Sequence, residues 1–328
     1  MNRMQRRVLL TAAAAAPTAL IPVALGQGRP IRVVVPFAAG GIIDVVARIL
    51  AEPMGRALGQ AMVIDNQPGA GSVIGARTVA RAAPDGATLL LSGAAHAVIP
   101  ALYPDAGVDP VADFAPVALL GQQPFVLAVH PANPAADAAQ FLDWLRARPG
   151  TARFATTGIG AASHLAGELL KQLAGVDFEV VPYRGTPQAV TDLVAGRVDF
   201  MLDSQTLLAP LAAAGQLRAM AVTTAARSTL LPALPTLAES GVAGYDASSW
   251  QALYAPAATP AVELARLRAA AGVALADPGL LRRYAEVGVQ PVAADLAAFI
   301  TAEQARWLPI LRATGAGATT APPPRGGG

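Results

Sequence analysis

From residue 31 the chain alternates short apolar runs with longer stretches whose apolar positions recur at helical spacing. IRVVVPF reads as a buried strand, and DVVARILAEPMGRALG as a helix with Val45, Val46, Ile49, Leu50 and Leu58 on one face and a kink expected at Pro53. AMVIDNQ predicts a second strand, PGAGSVIGARTVARAAPDG a loop and helix closed by a turn at Pro84-Asp85-Gly86, and ATLLLSG a third strand. Regular alternation of β and α predicts an α/β fold with a parallel sheet and crossover helices.

A Pro- and Asp-rich connection from Ile99 to Pro116 leads into VALLGQQPFVLAVHP, an apolar run interrupted at Gly121, Gln122, Gln123 and Pro124. The interruption reads as a crossing between two domains. A second βα series follows, from the helix AAQFLDWLRARPG through the strands TARFATTG, FEVVPYRG and RVDFMLD. AAAGQLRAMAVTT supplies a second apolar passage, so residues 122–226 are expected to form a domain inserted in a first one made of 27–121 and 227–316. The later helices ELARLRAAAGVAL and LAAFITAEQARWLPILRATG would brace the back of both, and Trp250 would pack in the core or between domains. No fixed-period repeat is present, but VVVPFAAGG and EVVPYRGTP echo one another, suggesting two similar half-sites facing one cleft.

The first 26 residues stand apart: a basic start, an apolar alanine-rich middle broken by Pro17 and Pro22, and Ala24-Leu25-Gly26 at the end. This is the pattern of a cleaved export signal, with Arg6-Arg7 leaving Sec and Tat routes both open. It also changes the charge reading. Of 24 basic residues three lie in this segment with no acid, leaving 21 against 22 acidic residues, so the exported chain is near neutral and carries no basic face for nucleic acid. Zero cysteine excludes disulfides, thiolate metal sites, thiol nucleophiles and lipid attachment at a lipobox cysteine. The tail 317–328, without periodicity, is expected to be disordered.

In an open parallel sheet ligands sit beyond the carboxyl ends of the strands, at loops leading into helix N-termini. Phe37, Ala38, Ala39 and Gly40 form such a loop, whose small residues let a ligand reach the backbone and whose following helix favours an anion. The plainer alternative, a tight turn at Gly40-Gly41 with Asp44 as N-cap, stays open beside it. Ser92 and His96, at and beyond the end of the third strand, are further candidate ligand groups. In the second series Thr157, Gly158, Ser163 and the neighbouring amides are expected to hold the other end of a small polar ligand, with Ser163 or the loop also capping the helix. His164 reads as a structural residue or hydrogen-bond donor. Asp203 ends a strand, where it caps the next helix, orients Ser204 or binds a ligand amine.

GAGSVIG comes close to a dinucleotide fingerprint, but Asn66-Gln67-Pro68 separates it from its strand and no acidic residue closes the next one. No cofactor is expected. Neither a GxSxG elbow nor a metal-spaced pair is present, so the enzyme alternative is a secreted serine hydrolase built from Ser163 or Ser92 with a histidine.

The segments VVVPFAAGGIIDVVARILAE, VIDNQPGAGSVIGARTVARAAPDGATLLLS, GIGAASHLAGELL, VPYRGTPQAVTDLVAGRVDFML, LRAMAVTT, LPTLAESG and SWQALYAPAATP occur in series. Together, over about residues 30 to 315, they resemble the Bug family of periplasmic solute receptors, the substrate-binding proteins of tripartite tricarboxylate transporters. The resemblance implies a type II periplasmic binding protein fold, two doubly wound α/β domains closing on a small carboxylate. It implies a monomer that passes its ligand to membrane transporter subunits or a sensor protein. It places the first carboxylate contacts at Phe37, Ala38, Ala39 and Gly40, and the second domain's contribution on the 158–164 loop and Asp203. One departure stands out: Ile42 and Ile43 occupy the loop where the family has a small or hydroxyl residue before the aspartate.

Overall fold

The structure, a computed structural model, describes residues 28–314; the N-terminal export-signal segment and the 317–328 tail lie outside the described residues. Strand β1 (Ile31–Val35) pairs in parallel with β2 (Met62–Asn66) on one side and β3 (Thr88–Ser92) on the other. Helix α1 (Ile42–Leu58) connects the first two strands and runs through Pro53 without a break. It buries Ile42, Val46, Ile49, Leu50 and Met54, positions that fall on one helical face. Gly59 ends it in the left-handed region, at φ 67, where a residue without a Cβ is favoured. Helix α2 (Val73–Ala80) follows a loop in which Gly71 and Ser72 both have positive φ.

After the four-residue helices α3 (Ala94–Ala97) and α4 (Ile99–Leu102) comes β4 (Phe114–Val129), the longest strand. Phe114–Pro124 pairs antiparallel with β9 (Ser248–Pro256), and Phe125–Val129 pairs with β7 (Phe200–Ser204) and β8 (Arg218–Val222). The Gly-Gln-Gln-Pro interruption is therefore a continuous strand changing partners. Pro124 is tolerated because it stands where the β9 ladder ends, next to the residue where the β7 ladder starts. Around β7 lie α5 (Ala138–Arg146), β5 (Arg153–Thr156), α6 (Ala162–Ala174), β6 (Glu179–Pro182), α7 (Thr186–Val194) and α8 (Gln205–Ala213). The strand order is β2-β1-β3-β9-β4-β7-β5-β6, with β8 on β4. The second apolar passage was expected at residues 212–224, but β8 within it pairs with the end of β4, and β9 is the strand that runs back beside its start.

Helices α9 (Ala261–Leu275) and α10 (Pro278–Glu286) cover the α1 side, while α11 (Leu296–Thr314) packs on α6, α3 and β4. One buried carboxylate fastens α11. Glu303 Oε2 accepts the indole N–H of Trp250 on β9 at 2.6 Å and that of Trp307 at 2.9 Å. His96, expected as a ligand group, lies instead in the core with its ring edge-on to Phe114 at 4.6 Å and 4.7 Å from Tyr254. The reason is local: α3 lasts one turn, and the turn directs residue 96 into the apolar layer behind β9. Burial lowers its pKa to about 4, and the Pro110 carbonyl, outside regular hydrogen-bond geometry, and Asp109 offset this only in part.

Two stability predictions follow from these buried groups. Glu303→Leu leaves two indole donors without an acceptor, at about 1–3 kcal/mol each, and should lower the urea midpoint with little change in slope. For His96 the folded pKa lies below the unfolded value, so the unfolded chain binds the extra proton and stability falls as pH drops from 6.5 toward about 4. In His96→Leu that part of the acid loss should disappear, which urea titrations across the same pH range would measure.

Candidate functional site

Three loops that each lead from a strand into a helix meet at one pocket. The β1–α1 loop contributes Phe37, Ala38 and Gly41, the β5–α6 loop Thr157 and Ala161, and the β6–α7 loop Gly185. The first residues of the helices, Ile42 and Ile43, Ala162 and Ser163, and Thr186, complete those three walls. Phe125, Asp203 and Ser249 close the floor where β4 changes partners. The space among these residues not filled by protein atoms, its opening to solvent included, is about 460 Å³.

The helix ends facing it are bare. The N-cap residues of α1, α6 and α7 are Gly41, Ala161 and Gly185, and none makes a side-chain cap hydrogen bond. The expected caps, Asp44 and Ser163, do other work because both sit inside their helices. Asp44, in the first turn of α1, reaches back to accept from Gly40 N–H at 3.0 Å and also accepts from Arg48 at 2.9 Å and Asn66 at 3.0 Å. Asn66 donates in turn to the Phe37 carbonyl at 3.1 Å, so this group braces the binding loop from behind. Burial works against the ionised Asp44, but hydrogen bonds from Arg48, Gly40 and Asn66 outweigh it and hold its pKa below the ordinary value. Ser163 Oγ accepts from Thr157 N–H at 3.3 Å and lies 2.9 Å from Thr156 Oγ1 and 3.2 Å from Thr157 Oγ1.

The loops press together across the pocket. A Cβ on Gly185 would stand 2.7 Å from Ala38 Cβ, and one on Gly71, at φ +55, only 2.6 Å from the Ile159 carbonyl oxygen. These positions favour glycine because a Cβ would collide with the Ala38 methyl at the first and with the Tyr103 ring and the Ile159 carbonyl at the second.

Of the residues singled out from sequence, Phe37, Ala38, Thr157, Ser163 and Asp203 line the pocket. Ala39 and Gly40 are exposed on the outer side of their loop, and Gly158 forms the turn before α6, its carbonyl accepting from Ala161 N–H at 3.0 Å. Ser92 is buried against Ser72, the hydroxyls 3.3 Å apart. His164 faces away: its Nδ1 accepts from Gly160 N–H at 3.2 Å and its Nε2 lies 3.6 Å from the buried Glu168. Burial lowers its pKa to about 4, which keeps the ring neutral. Neither Ser163 nor Ser92 has a histidine among its hydrogen-bond partners.

Thr186, Gly185, Phe125 and Ser249 were not singled out. The echo between VVVPFAAGG and EVVPYRGTP held the signal for the first two, since Gly185-Thr186 stands opposite Ala38 and Gly41. Asp203, at the end of β7, accepts from Ser204 N–H at 2.6 Å and from the Thr186 hydroxyl at 3.1 Å. It is the sole ionisable residue of the lining, and burial pushes its pKa up to about 6 against these two hydrogen bonds.

Comparison with known proteins accounts for this architecture. Residues 46–316 match the model of the tripartite tricarboxylate transporter family receptor. The chain is 36% identical over 293 residues to Protein BugT of Bordetella pertussis, covering 88% of this chain and 90% of that one. Among solved structures it superposes on the periplasmic binding protein BugD with a TM-score of 0.83 at 35% identity, over 89% of this chain and 99% of that chain. It superposes on MatC of Rhodopseudomonas palustris, solved with bound malate, with a TM-score of 0.81 at 34% identity, over 87% and 99% of the two chains. An R. palustris protein solved with adipate gives a TM-score of 0.83 at 34% identity, over 88% and 98%. With a periplasmic binding protein fold and a cleft of bare helix ends, the chain belongs to the tripartite tricarboxylate transporter receptor family: it is a periplasmic solute-binding protein, a receptor and not an enzyme.

Proposed function

We propose that this receptor captures a small organic carboxylate between its two lobes. The observation that carries the reading is the meeting of three uncapped helix N-termini on a pocket lined by no Lys, Arg or His. Unpaired amides and the positive end of the helix dipole favour an anion by about 0.3–1 kcal/mol each when exposed and up to ~2 when partly buried. Alanine at an N-cap, as at Ala161, costs about 0.5–2 kcal/mol relative to a capping side chain, which a bound carboxylate would offset. The malate and adipate held by similar structures support the same chemistry.

The lobes in this reading are 27–121 with 227–316, and 122–226. Residues 1–26 act as an export signal cut near Gly26, and the exported monomer delivers its ligand to membrane transporter subunits or a sensor. Phe37, Ala38, Thr157 and Ser163 contact the carboxylate end, with Asp44 holding the first loop in place.

Two measurements test this. Ligand at a hundred times its dissociation constant stabilises by about 2.7 kcal/mol, so a panel of carboxylates should include members that raise the Tm by roughly 2–4 °C. A flat response across mono-, di- and tricarboxylates would overturn the proposal. Ile43 lines the pocket, and Ile43→Thr exchanges apolar volume for a hydroxyl. The variant should shift the panel toward more polar acids, and an unchanged ranking would remove Ile43 as a determinant of specificity.

A further inference from the structure

A second hollow lies under the first turns of α11, and it shares no lining residue with the cleft. Phe114 of β4, Tyr254 of β9 and Ile300 of α11 form its bottom, each at most 4% exposed. Val111, Ala297 and Thr301 form its rim and are open to solvent. The space among the lining residues, its opening included, is about 370 Å³. Residues 297, 300 and 301 stand at i, i+3 and i+4 and so share one face of the helix. Alanine and threonine are short there, which leaves room over Tyr254. Four residues earlier on β9 the same helix closes directly on Trp250, whose ring meets Phe299 at 5.2 Å and whose indole N–H is held by Glu303.

The chemistry of the bottom is unusual for a packing defect. Tyr254 is 2% exposed, yet its hydroxyl hydrogen-bonds to none of the described residues. Buried hydroxyls are ordinarily paired, and this one keeps a donor and two acceptor positions beside a space large enough for a ring. His96 packs against Phe114 and Tyr254 behind the hollow, and its two nitrogens also lack a hydrogen bond of regular geometry. The Thr301 hydroxyl donates to the Ala297 carbonyl at 3.0 Å, so at the rim it offers only lone pairs. The Phe114 and Tyr254 rings, 6.3 Å apart and edge-on, supply aromatic walls.

Charge sets the class of guest. The lining holds no ionisable side chain besides the Tyr254 phenol, and burial together with Glu303 raises its pKa well above the ordinary value, so it stays neutral. The charges that reach this corner, Asp109 toward His96 and Glu303 toward Tyr254, are both acidic and oppose an anion. An ammonium would give up its water with no carboxylate in the lining to replace it.

We propose that this hollow is a second ligand site, separate from the cleft, that takes a small neutral molecule with an apolar ring and one hydroxyl, the hydroxyl hydrogen-bonded to Tyr254. The ring lies against Phe114 and Ile300, and Val111 at 58% exposure offers the guest an apolar edge. The cleft is built of bare helix ends and this hollow of aromatic rings, so the two sites select different ligands.

The test is an NMR titration of the exported chain with phenol, benzene, benzoate and benzylamine, read at the imidazole signals of its three histidines. The signal lost in His96→Leu identifies His96, which touches the two aromatic walls. Phenol should move that signal saturably and bind at least about tenfold tighter than the other three probes, the worth of one paired hydroxyl. Tyr254→Phe should lower phenol to the affinity of benzene and leave benzene unchanged. Ala297→Trp, a change at an exposed position, should cover the hollow and abolish the binding of both. A His96 signal unmoved by phenol overturns the proposal on the unmodified chain, whatever the variants do. So does phenol binding that survives either Tyr254→Phe or Ala297→Trp, or that is no tighter than benzene. Tighter binding of benzoate or benzylamine at His96 would overturn the assignment to a neutral guest. These outcomes leave the carboxylate reading of the cleft standing, because no residue is shared between the two linings.

Discussion

The continuous β4 strand is the constraint on which the rest of the structure depends. Its first eleven residues are laddered to β9 and its last five to β7 and β8, so one segment belongs to both parts of the sheet. The pocket floor sits where the partners change: Phe125 and Ser249 both line it, and Asp203 pairs with Val126 in the adjoining ladder. A strand that exchanges partners places side chains of both halves within one ligand length of each other. It does so with the ladder hydrogen bonds nearly intact, because Pro124, lacking an N–H, falls at the exchange point. The buried glutamines at 123 and 251 lie at the same junction, on the paired β4 and β9 strands.

From that junction the helices take their direction. Strands β1, β5 and β6 are followed by α1, α6 and α7, and the N-termini of all three helices come to the same pocket. An anion can therefore be held by neutral, fixed donors that undergo little rearrangement when it arrives. A lysine or arginine in the same place would bring its own desolvation penalty and a side chain to be ordered. The Asp44–Arg48–Asn66 group keeps charge behind the loop, where it fixes the Phe37 carbonyl and Gly40 N–H, and out of the pocket itself.

The parallel βα alternation was legible in the sequence because each strand and helix keeps its own period, and the Gly-rich loops marked three strand ends. Less legible was the direction of each turn. His96 and Asp203 both lie just beyond or at the end of a strand, yet one points into the apolar layer and the other into the cleft. The difference lies in α3, a single helical turn, against a β7 that passes directly into α8, and local propensity does not distinguish these. The second passage was hard to place for a related reason. β8 and β9 both read as strands with apolar positions, and only pairing with opposite ends of β4 separates their roles. Ser249 and Phe125 escaped notice because a serine and a phenylalanine in strands carry no signal until the sheet brings them together.

Ile42 and Ile43 now have a physical context. Ile42 is nearly buried in the α1 layer, and Ile43 lines the pocket with its Cδ1 3.5 Å from where a Cβ on Gly93 would lie. Together with Phe37 and Phe125 they give the pocket an apolar flank between its two polar ends. A ligand that leaves carbon against that flank gains about 25 cal/mol per Å² of apolar surface buried, whereas one with a hydroxyl there leaves it without a partner and loses about 1–3 kcal/mol. In the proposed reading the bare helix ends take the anionic end of the ligand, and the isoleucine flank favours a carbon body beside it.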